Sequence, residues 1–307
     1  GGNQVINDTL TIGTIVAFVA YLTRLYGPVT SLATVYVDVQ AALTLFERIF
    51  EYLDTGSEVV EPPDAVHMPS LRGRIEFDHV SFEYVPGRSA LHGVSFVVEP
   101  GQLTALVWPS GAGKTTITYL LPRLYDPTAG AIRLDDHDLR TVKLDSLRSQ
   151  MGMVTHEAFL FHSTIRQNLR YGRPDATDDE RVEACKAAHL HDFIASLSDG
   201  YDTVVGELGY RLSGGERQRL AIARVILKDP RIRILDEATS HLDSLSESLI
   251  RTAREPLLQE RTSVVVAHRL STILRADTIL VLDKGRLVEQ GTHAQLLVRG
   301  GLYARIY

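Results

Sequence analysis

The sequence contains little of several residue types that mark particular classes of protein. Among 307 residues there is one cysteine, Cys185, so no internal disulfide can form and a reducing compartment is expected. There are 32 Lys and Arg residues against 38 Asp and Glu residues, and this net charge of −6 argues against a dedicated nucleic-acid-binding protein. The chain has no initiating Met and no charged segment before an apolar run, so no secretory signal is expected. Its start at Gly1 favours a piece of a longer protein.

Charged residues are also scarce near the start of the chain. Arg24 is the one charged residue among the 29 positions from 9 to 37. A membrane-spanning helix needs about 20 mostly apolar residues, so this segment is long enough. A buried helix of a soluble protein is the alternative. In a membrane, Arg24 would face a polar cavity or a partner helix, and Gly27 with Pro28 would bend the helix. Residues 38–53 continue the helical spacing with more charge, as expected of a helix that leaves the membrane.

Beyond this segment the composition changes to that of an α/β protein. Gly and paired Pro residues at 54–64 predict a linker, so we expect one domain at 1–60 and another at 61–307. Strands are predicted at 74–84, 94–98, 103–107, 151–154, 232–235, 263–267 and 278–282. Helices are predicted at 113–124, 214–227 and 245–258, with a helix-rich insert at about 160–220. Alternation of strands and helices favours a mostly parallel sheet covered by helices.

A glycine-rich segment follows the apolar run at 103–107. It is predicted to bind nucleotide phosphates through Ser110, Gly111, Ala112, Gly113, Lys114, Thr115 and Thr116. Small residues let backbone N–H groups approach phosphate oxygens, and a following helix adds partial positive charge. Lys114 can then reach the β- and γ-phosphates, and the Thr115 hydroxyl can bind Mg²⁺. A chance glycine-rich turn is the alternative, because Trp108 occupies the first glycine position of the phosphate-loop pattern.

A second predicted element, residues 232–237, is a strand that ends in two carboxylates, Asp236 and Glu237. Asp236 lies 122 residues after Lys114 (236 − 114). Asp236 can hold Mg²⁺ through water, and Glu237 can orient and deprotonate an attacking water. A solvated acidic turn is the alternative for such a pair considered alone. Together with a phosphate loop, the pair indicates nucleotide hydrolysis.

A third element identifies a family. Residues 212–219 read Leu-Ser-Gly-Gly-Glu-Arg-Gln-Arg. They match the signature of ATP-binding-cassette (ABC) proteins at every position, and the chain resembles ABC exporters over residues 74–307. The resemblance implies an α/β P-loop NTPase domain with a mixed sheet and a helical subdomain. It also implies that residues 1–53 are the last transmembrane helix of an exporter half-transporter.

The resemblance implies further site residues, each with an ordinary structural alternative. Tyr84 matches the aromatic that stacks on adenine, although it also suits strand packing. Ser213, Gly214 and Gly215 match residues that contact ATP bound to the opposite chain, although such residues often only cap a helix. His268 matches a histidine that contacts the γ-phosphate, so the implied catalytic set is Glu237, His268 and Lys114. Residues 205–207 resemble the segment that contacts membrane-domain loops.

By this resemblance the expected activity is ATP hydrolysis that powers export across a membrane. The implied cofactors are ATP and Mg²⁺, with Thr115, Asp236 and His156 around the metal. The implied partner is a second half-transporter chain, identical or different, and the transported substrate stays open. The expected location is the cell membrane, with five more spans upstream and a cytoplasmic nucleotide-binding domain.

Four positions depart from the family pattern. Trp108 replaces a glycine, His156 replaces a glutamine, His241 replaces a small interface residue, and Arg233 places a cation within a strand covered on both faces. Impaired hydrolysis because of Trp108 and His156 is therefore one alternative function. A soluble ABC ATPase unrelated to transport is another, which the apolar segment opposes. His156, His241 and His268 could together bind a transition metal, and separate loop histidines are the simpler interpretation.

Overall fold

The computed structural model describes residues 11–56, 59–107, 114–206, 212–236, 244–258, 261–267 and 269–306. The chain divides into two compact units, one ending at Glu58 and one beginning at Val59. The helices are α1 (Ile12–Asp54), α2 (Lys114–Leu120), α3 (Leu144–Ser149), α4 (Ile165–Arg170), α5 (Asp178–Ala187), α6 (His191–Ala195), α7 (Gly214–Lys228), α8 (Ser244–Arg254), α9 (Leu270–Arg275), α10 (His293–Arg299) and α11 (Leu302–Ile306). Short 3₁₀ turns are found at Leu139–Thr141, Gly200–Asp202 and Glu255–Leu258.

The strands belong to the second unit. They are β1 (Ile75–Val85), β2 (Arg88–Val98), β3 (Leu103–Val107), β4 (Ala129–Leu134), β5 (His137–Asp138), β6 (Met151–Val154), β7 (Ser163–Thr164), β8 (Val204–Val205), β9 (Ile232–Asp236), β10 (Thr262–Val266), β11 (Thr278–Asp283) and β12 (Arg286–Gly291).

Helix α1 is continuous over 43 residues and includes Pro28. At 1.5 Å per residue it is about 65 Å long, roughly twice the thickness of a bilayer core. The Thr30 and Ser31 hydroxyls donate to carbonyls four residues earlier, which satisfies these polar groups within the helix. Among the residues described, this is the one helix long and apolar enough to cross a membrane.

A six-stranded sheet forms the centre of the second unit. Its order is β12-β11-β3-β10-β9-β6, in which β12 pairs antiparallel with β11 and the other neighbours are parallel. Parallel strands are usually buried on both faces, so they are mostly apolar. Strands β3 and β10 are buried at every position, and so are the first four residues of β9. The α/β class with a mixed sheet, predicted from the sequence, is confirmed.

The two faces of this sheet belong to separate cores. On one face Leu106, Ile234 and Val264 pack in a core shared with the four-stranded antiparallel sheet β2-β1-β4-β5. On the other face Ala105 and Val265 pack in a core shared with helix α7 and the insert. The central strands are therefore held from both sides, which fixes where their ends lie.

The segment at 160–220 contains helices α4 to α6 and the small antiparallel sheet β7-β8. Its elements are joined by ion pairs: Arg166 lies 2.6 Å from Asp178 and 2.9 Å from Asp202. The hydrogen bonds that Arg166 donates to the carboxylates of Asp202 and Asp178 raise its pKa. Thr177 and Glu180 form a capping box at the start of α5.

Residues 59–72, which we name the strap, precede β1 and lie against α3 and the neighbouring segments. Arg123 donates to the Val60 carbonyl (3.1 Å), and the Glu61 carboxylate accepts from the Leu144 N–H (2.6 Å). Gln150 bonds the strap twice, accepting from the Leu71 N–H (2.7 Å) and donating to the Pro69 carbonyl (2.8 Å). Val66 also exchanges backbone hydrogen bonds with Thr141 and Lys143.

The structure differs from the sequence prediction at several element ends. The helix predicted at 113–124 ends at Leu120, because Pro122 has no N–H to continue it. The helix predicted at 245–258 ends at Arg254 and continues as a 3₁₀ turn that contains Pro256. Arg233 is buried as expected, but it is paired: it lies 3.0 Å from Asp229, so the expected cost of an uncompensated charge does not arise.

Candidate nucleotide site at the strand ends

Four neighbouring parallel strands, β3, β10, β9 and β6, end at one edge of the central sheet. Val266 is in register with both Leu106 and Asp236, and Val154 is in register with Leu235. Adjacent strands lie about 4.8 Å apart, so predicted site residues distant in sequence follow strand ends that are close in space. Ligands of open α/β sheets bind outside such carboxyl ends.

The start of α2 places Thr115 and Thr116 after β3. Thr116 is buried and Thr115 is half-buried. The Tyr84 hydroxyl lies 3.1 Å from Thr116 Oγ1, which joins the predicted adenine-stacking residue to the predicted phosphate-binding helix. The Tyr84 ring is 47% exposed and makes edge contacts with Phe82 and Tyr125. One side of this ring is therefore packed, while nearly half its surface is open to a ligand.

The Asp236 side chain is half-buried at the end of β9. Its backbone carbonyl accepts a hydrogen bond from Arg254 Nη2 (3.3 Å) at the end of α8. Arg254 is buried, and nothing in the sequence pointed to its role, since it is simply one residue within the helical pattern predicted at 245–258. This contact holds the strand end immediately before the predicted catalytic residue Glu237.

His156 lies two residues beyond the end of β6 and is exposed. The Thr155 hydroxyl donates to the Glu157 carbonyl (2.7 Å), which forms a local turn around it. Because β6 neighbours β9, His156 follows the strand end next to that of Asp236. The structure thus brings two of the predicted residues to adjacent positions on the same edge.

Ser213 caps helix α7. Its hydroxyl accepts from the Glu216 N–H (3.3 Å), and the Glu216 carboxylate accepts from the Ser213 N–H (2.6 Å). Gly214 is exposed and Gly215 is buried. The ordinary capping role is therefore present, and the exposed helix start also presents backbone N–H groups that can bind an anion.

Several predicted residues lie outside the described part of the chain. They are Trp108, Ser110, Gly111, Ala112, Gly113, Glu207, Glu237, His241 and His268. Lys114 begins α2, and its side chain is not described. No group of three metal-binding side chains is found among the described residues, and two of the three histidines of the transition-metal hypothesis lie outside them, so that hypothesis stays a prediction.

Two side chains of α7 contact the turn that carries His156, and sequence reasoning missed both. Gln218 Nε2 donates to the Thr155 carbonyl (3.2 Å), and Arg224 Nη1 donates to the Phe159 carbonyl (2.8 Å). Gln218 belongs to the recognised signature, but nothing local in the sequence shows a contact 63 residues away.

Comparisons with known proteins agree on one family. The family model described as ABC transporter matches residues 91–240. An ATP-dependent lipid A-core flippase of Syntrophus aciditrophicus is 46% identical over all 307 residues. The ATP-binding cassette sub-family B member 6 of Xenopus tropicalis is 47% identical over 306 residues, or 99% of the chain. A solved bacterial Atm1-family ABC exporter with ATP bound superposes with a TM-score of 0.79 at 46% identity and covers 97% of the chain.

The matches cover only part of these larger proteins. The chain spans 51% of the flippase, 36% of the Xenopus protein and 52% of the solved exporter chain.

Proposed function

Since the chain belongs to the ABC transporter family, we propose that its second unit binds and hydrolyses MgATP and that this reaction powers export across a membrane. The observation that carries the proposal is the shared edge at the ends of β3, β10, β9 and β6. The Thr115 helix, Asp236 and the His156 turn each lie at the end of a strand that stops at this edge. The matching signature at the start of α7 supplies the family assignment.

The residues present suit Mg²⁺. The Thr115 hydroxyl and the Asp236 carboxylate are hard oxygen donors at the correct strand ends, and Mg²⁺ prefers such oxygens together with phosphate oxygens. The ion would offset negative charge on the phosphates. His156 suits Mg²⁺ less well because imidazole is a softer ligand, so we assign it to the γ-phosphate side as a hydrogen-bond donor.

The chemical roles follow from the residue types. Lys114 and the glycine-rich loop hold the phosphates, and Tyr84 provides its open ring surface to adenine. Glu237 orients and deprotonates the attacking water, and His268 contacts the γ-phosphate. Ser213, Gly214 and Gly215 bind the ATP held by a second chain, so two chains enclose two nucleotides.

Helix α1 supports the membrane part of the proposal. Its apolar side chains are exposed within the described unit, and its length exceeds that of a bilayer core. We infer a multi-pass protein of the cell membrane with a cytoplasmic nucleotide-binding domain, acting with a second half-transporter. The comparisons with exporters oppose the alternative of a soluble ABC ATPase. The transported substrate is left open, since the chain contains one membrane-length helix among its described residues.

The proposal is tested by phosphate release and ATP binding in the detergent-solubilised chain. Glu237→Gln should retain ATP binding and lower kcat by about 10²–10⁴-fold, as expected for loss of a general base. Lys114→Ala should abolish binding, whereas Lys186→Ala, an exposed lysine on α5, is the matched control and should change neither. Equal phosphate release by the wild type and Glu237→Gln would contradict the assignment.

Trp108 and His156 define a second comparison. A double variant, Trp108→Gly with His156→Gln, restores the family pattern in both places. A higher kcat than that of the wild type would show that these residues slow hydrolysis. An unchanged kcat would eliminate the impaired alternative.

A further inference from the structure

The turn that carries His156 is attached to helix α7 at both of its ends. Gln218 donates to the Thr155 carbonyl at one end (3.2 Å), and Arg224 donates to the Phe159 carbonyl at the other (2.8 Å). The intervening His156 and Glu157 are exposed. We name Gln218 and Arg224 the α7 clamp.

The clamp is built from one buried and one half-buried polar side chain. Gln218 is 5% exposed, so its amide has little access to water in place of the Thr155 carbonyl. Arg224 also donates to the Asn168 carbonyl (2.9 Å) and to Asn168 Oδ1. Burial lowers the pKa of Arg224 to about 10, so the guanidinium is still charged at neutral pH. A half-buried guanidinium that donates to carbonyl and amide oxygens holds them strongly, because losing one leaves a charged N–H group without an acceptor.

Helix α7 and the residues after it pack closely against β6. A Cβ atom at Gly152 in β6 would lie 2.6 Å from Pro230 Cγ and 2.8 Å from Val225 Cγ1. Only hydrogen fits there, so the end of α7 and the residues after it lie directly against the strand that leads to His156. Helix α7 therefore contacts both β6 and the turn beyond it.

We propose that Gln218 and Arg224 are positioning residues that couple the start of α7, Ser213 to Gly215, to the placement of His156 at the γ-phosphate. The inference rests on the proposed ATPase function. When the start of α7 binds the nucleotide held by a second chain, the clamp transmits that contact to the His156 turn of its own site. Each site then responds to occupation of the other through a hydrogen-bonded path within one chain.

The test is a double-mutant cycle on ATP hydrolysis. Gln218→Leu should lower kcat by about 10-fold to 100-fold, the effect expected when a catalytic group is misplaced by about 1 Å. The KM for ATP should stay within about 3-fold, because the predicted phosphate loop is untouched. In a His156→Ala background, Gln218→Leu should lower kcat by less than about 3-fold, because its effect acts through His156.

Gln150→Leu is the matched control, because it removes the same kind of side-chain-to-backbone bonds at the opposite end of β6. It should leave kcat within about 2-fold. Additive effects of Gln218→Leu and His156→Ala would overturn the proposal, and so would equal effects of Gln218→Leu and Gln150→Leu.

A second measurement needs no nucleotide. Phe159 is 68% exposed, so chymotrypsin cleavage after it, followed by mass spectrometry, reports release of the turn. Gln218→Leu and Arg224→Lys should each raise the initial cleavage rate at least 5-fold over the wild type and Gln150→Leu. Unchanged cleavage overturns the clamp even if ATP is hydrolysed. A wild type that fails to bind MgATP overturns the proposed function, and with it the coupling, whatever the cleavage result.

Discussion

Two glycines with the same positive φ allow steric collision to be separated from the strain of that φ. Gly130, in β4, and Gly87, between β1 and β2, both have φ of +83°. A Cβ at Gly130 would lie 2.5 Å from the Asp78 carbonyl oxygen and close to that of His79, whereas a Cβ at Gly87 would meet nothing within 4 Å. The colliding atoms are backbone, so they cannot move aside as a flexible side chain would.

The expected magnitudes follow from these two environments. Alanine in the left-handed region costs about 1–2 kcal/mol, and this cost applies to both Gly87→Ala and Gly130→Ala. Overpacking adds about 1–3 kcal/mol at Gly130 alone. For a unit of this size 1 kcal/mol changes Tm by about 2–4 °C. Gly130→Ala should therefore unfold about 2–12 °C below Gly87→Ala.

Thermal unfolding of both variants by circular dichroism, in the same detergent, measures this difference. The Tm of the wild type is the reference from which the effect of the strain common to both variants is measured. Melting temperatures that agree within about 1 °C would refute the argument, since they would mean that the Asp78 and His79 backbone moves aside without cost.

Three further predictions concern charge, the nucleotide and the thiol. The Arg261 guanidinium holds the pKa of Asp229 below its usual range. The ionised Asp229 carboxylate therefore stabilises the folded chain above about pH 4, and this stabilisation is lost as pH falls through the lowered pKa. Asp229→Asn should lower Tm at pH 7 and flatten its dependence below pH 4. Tyr84→Ala should weaken ATP binding about 10-fold by loss of stacking, and Tyr84→Phe, which loses only the Thr116 bond, less than about 3-fold. Burial raises the pKa of Cys185 to about 12, so iodoacetamide at pH 8 should modify it only after unfolding.

Each of these predictions has a clear contrary result. If the Tm values of wild type and Asp229→Asn changed in parallel from pH 7 to pH 3, the Asp229 carboxylate would make no contribution to the loss of stability in acid. Equal ATP affinities for Tyr84→Ala and Tyr84→Phe in calorimetry would assign the ring to packing alone. Alkylation of Cys185 in the native chain within minutes, seen by mass spectrometry, would show that the insert opens readily.

Most of the candidate site residues were predicted from motifs, because these motifs directly follow apolar runs that predict strands. The carboxylate at Asp236 and the glycine-rich segment after β3 each follow an apolar run, and that local pattern is readable without a structure. The early end of α2 could also have been predicted, because Pro122 lies within the helix predicted at 113–124. Long stretches of regular pattern therefore predicted the fold class.

Contacts that depend on the folded backbone could not be predicted from the sequence. Arg233 is compensated because Asp229 adopts a left-handed cap (φ 44°) after α7 and turns its carboxylate toward the strand. No propensity argument reveals that geometry. The bonds of Gln218 and Arg254 likewise join elements brought together only by packing of helices on the sheet.

The strap of residues 59–72 has a consequence for tolerance to mutation. Its attachments are redundant: Arg123, Glu61 and Gln150 act at separate positions, and backbone bonds at Val66 need no particular side chain. Loss of any one side chain leaves the neighbouring anchors to hold the segment in register. The strap should therefore tolerate replacement of any one of these side chains, because the remaining anchors still hold it against the second unit.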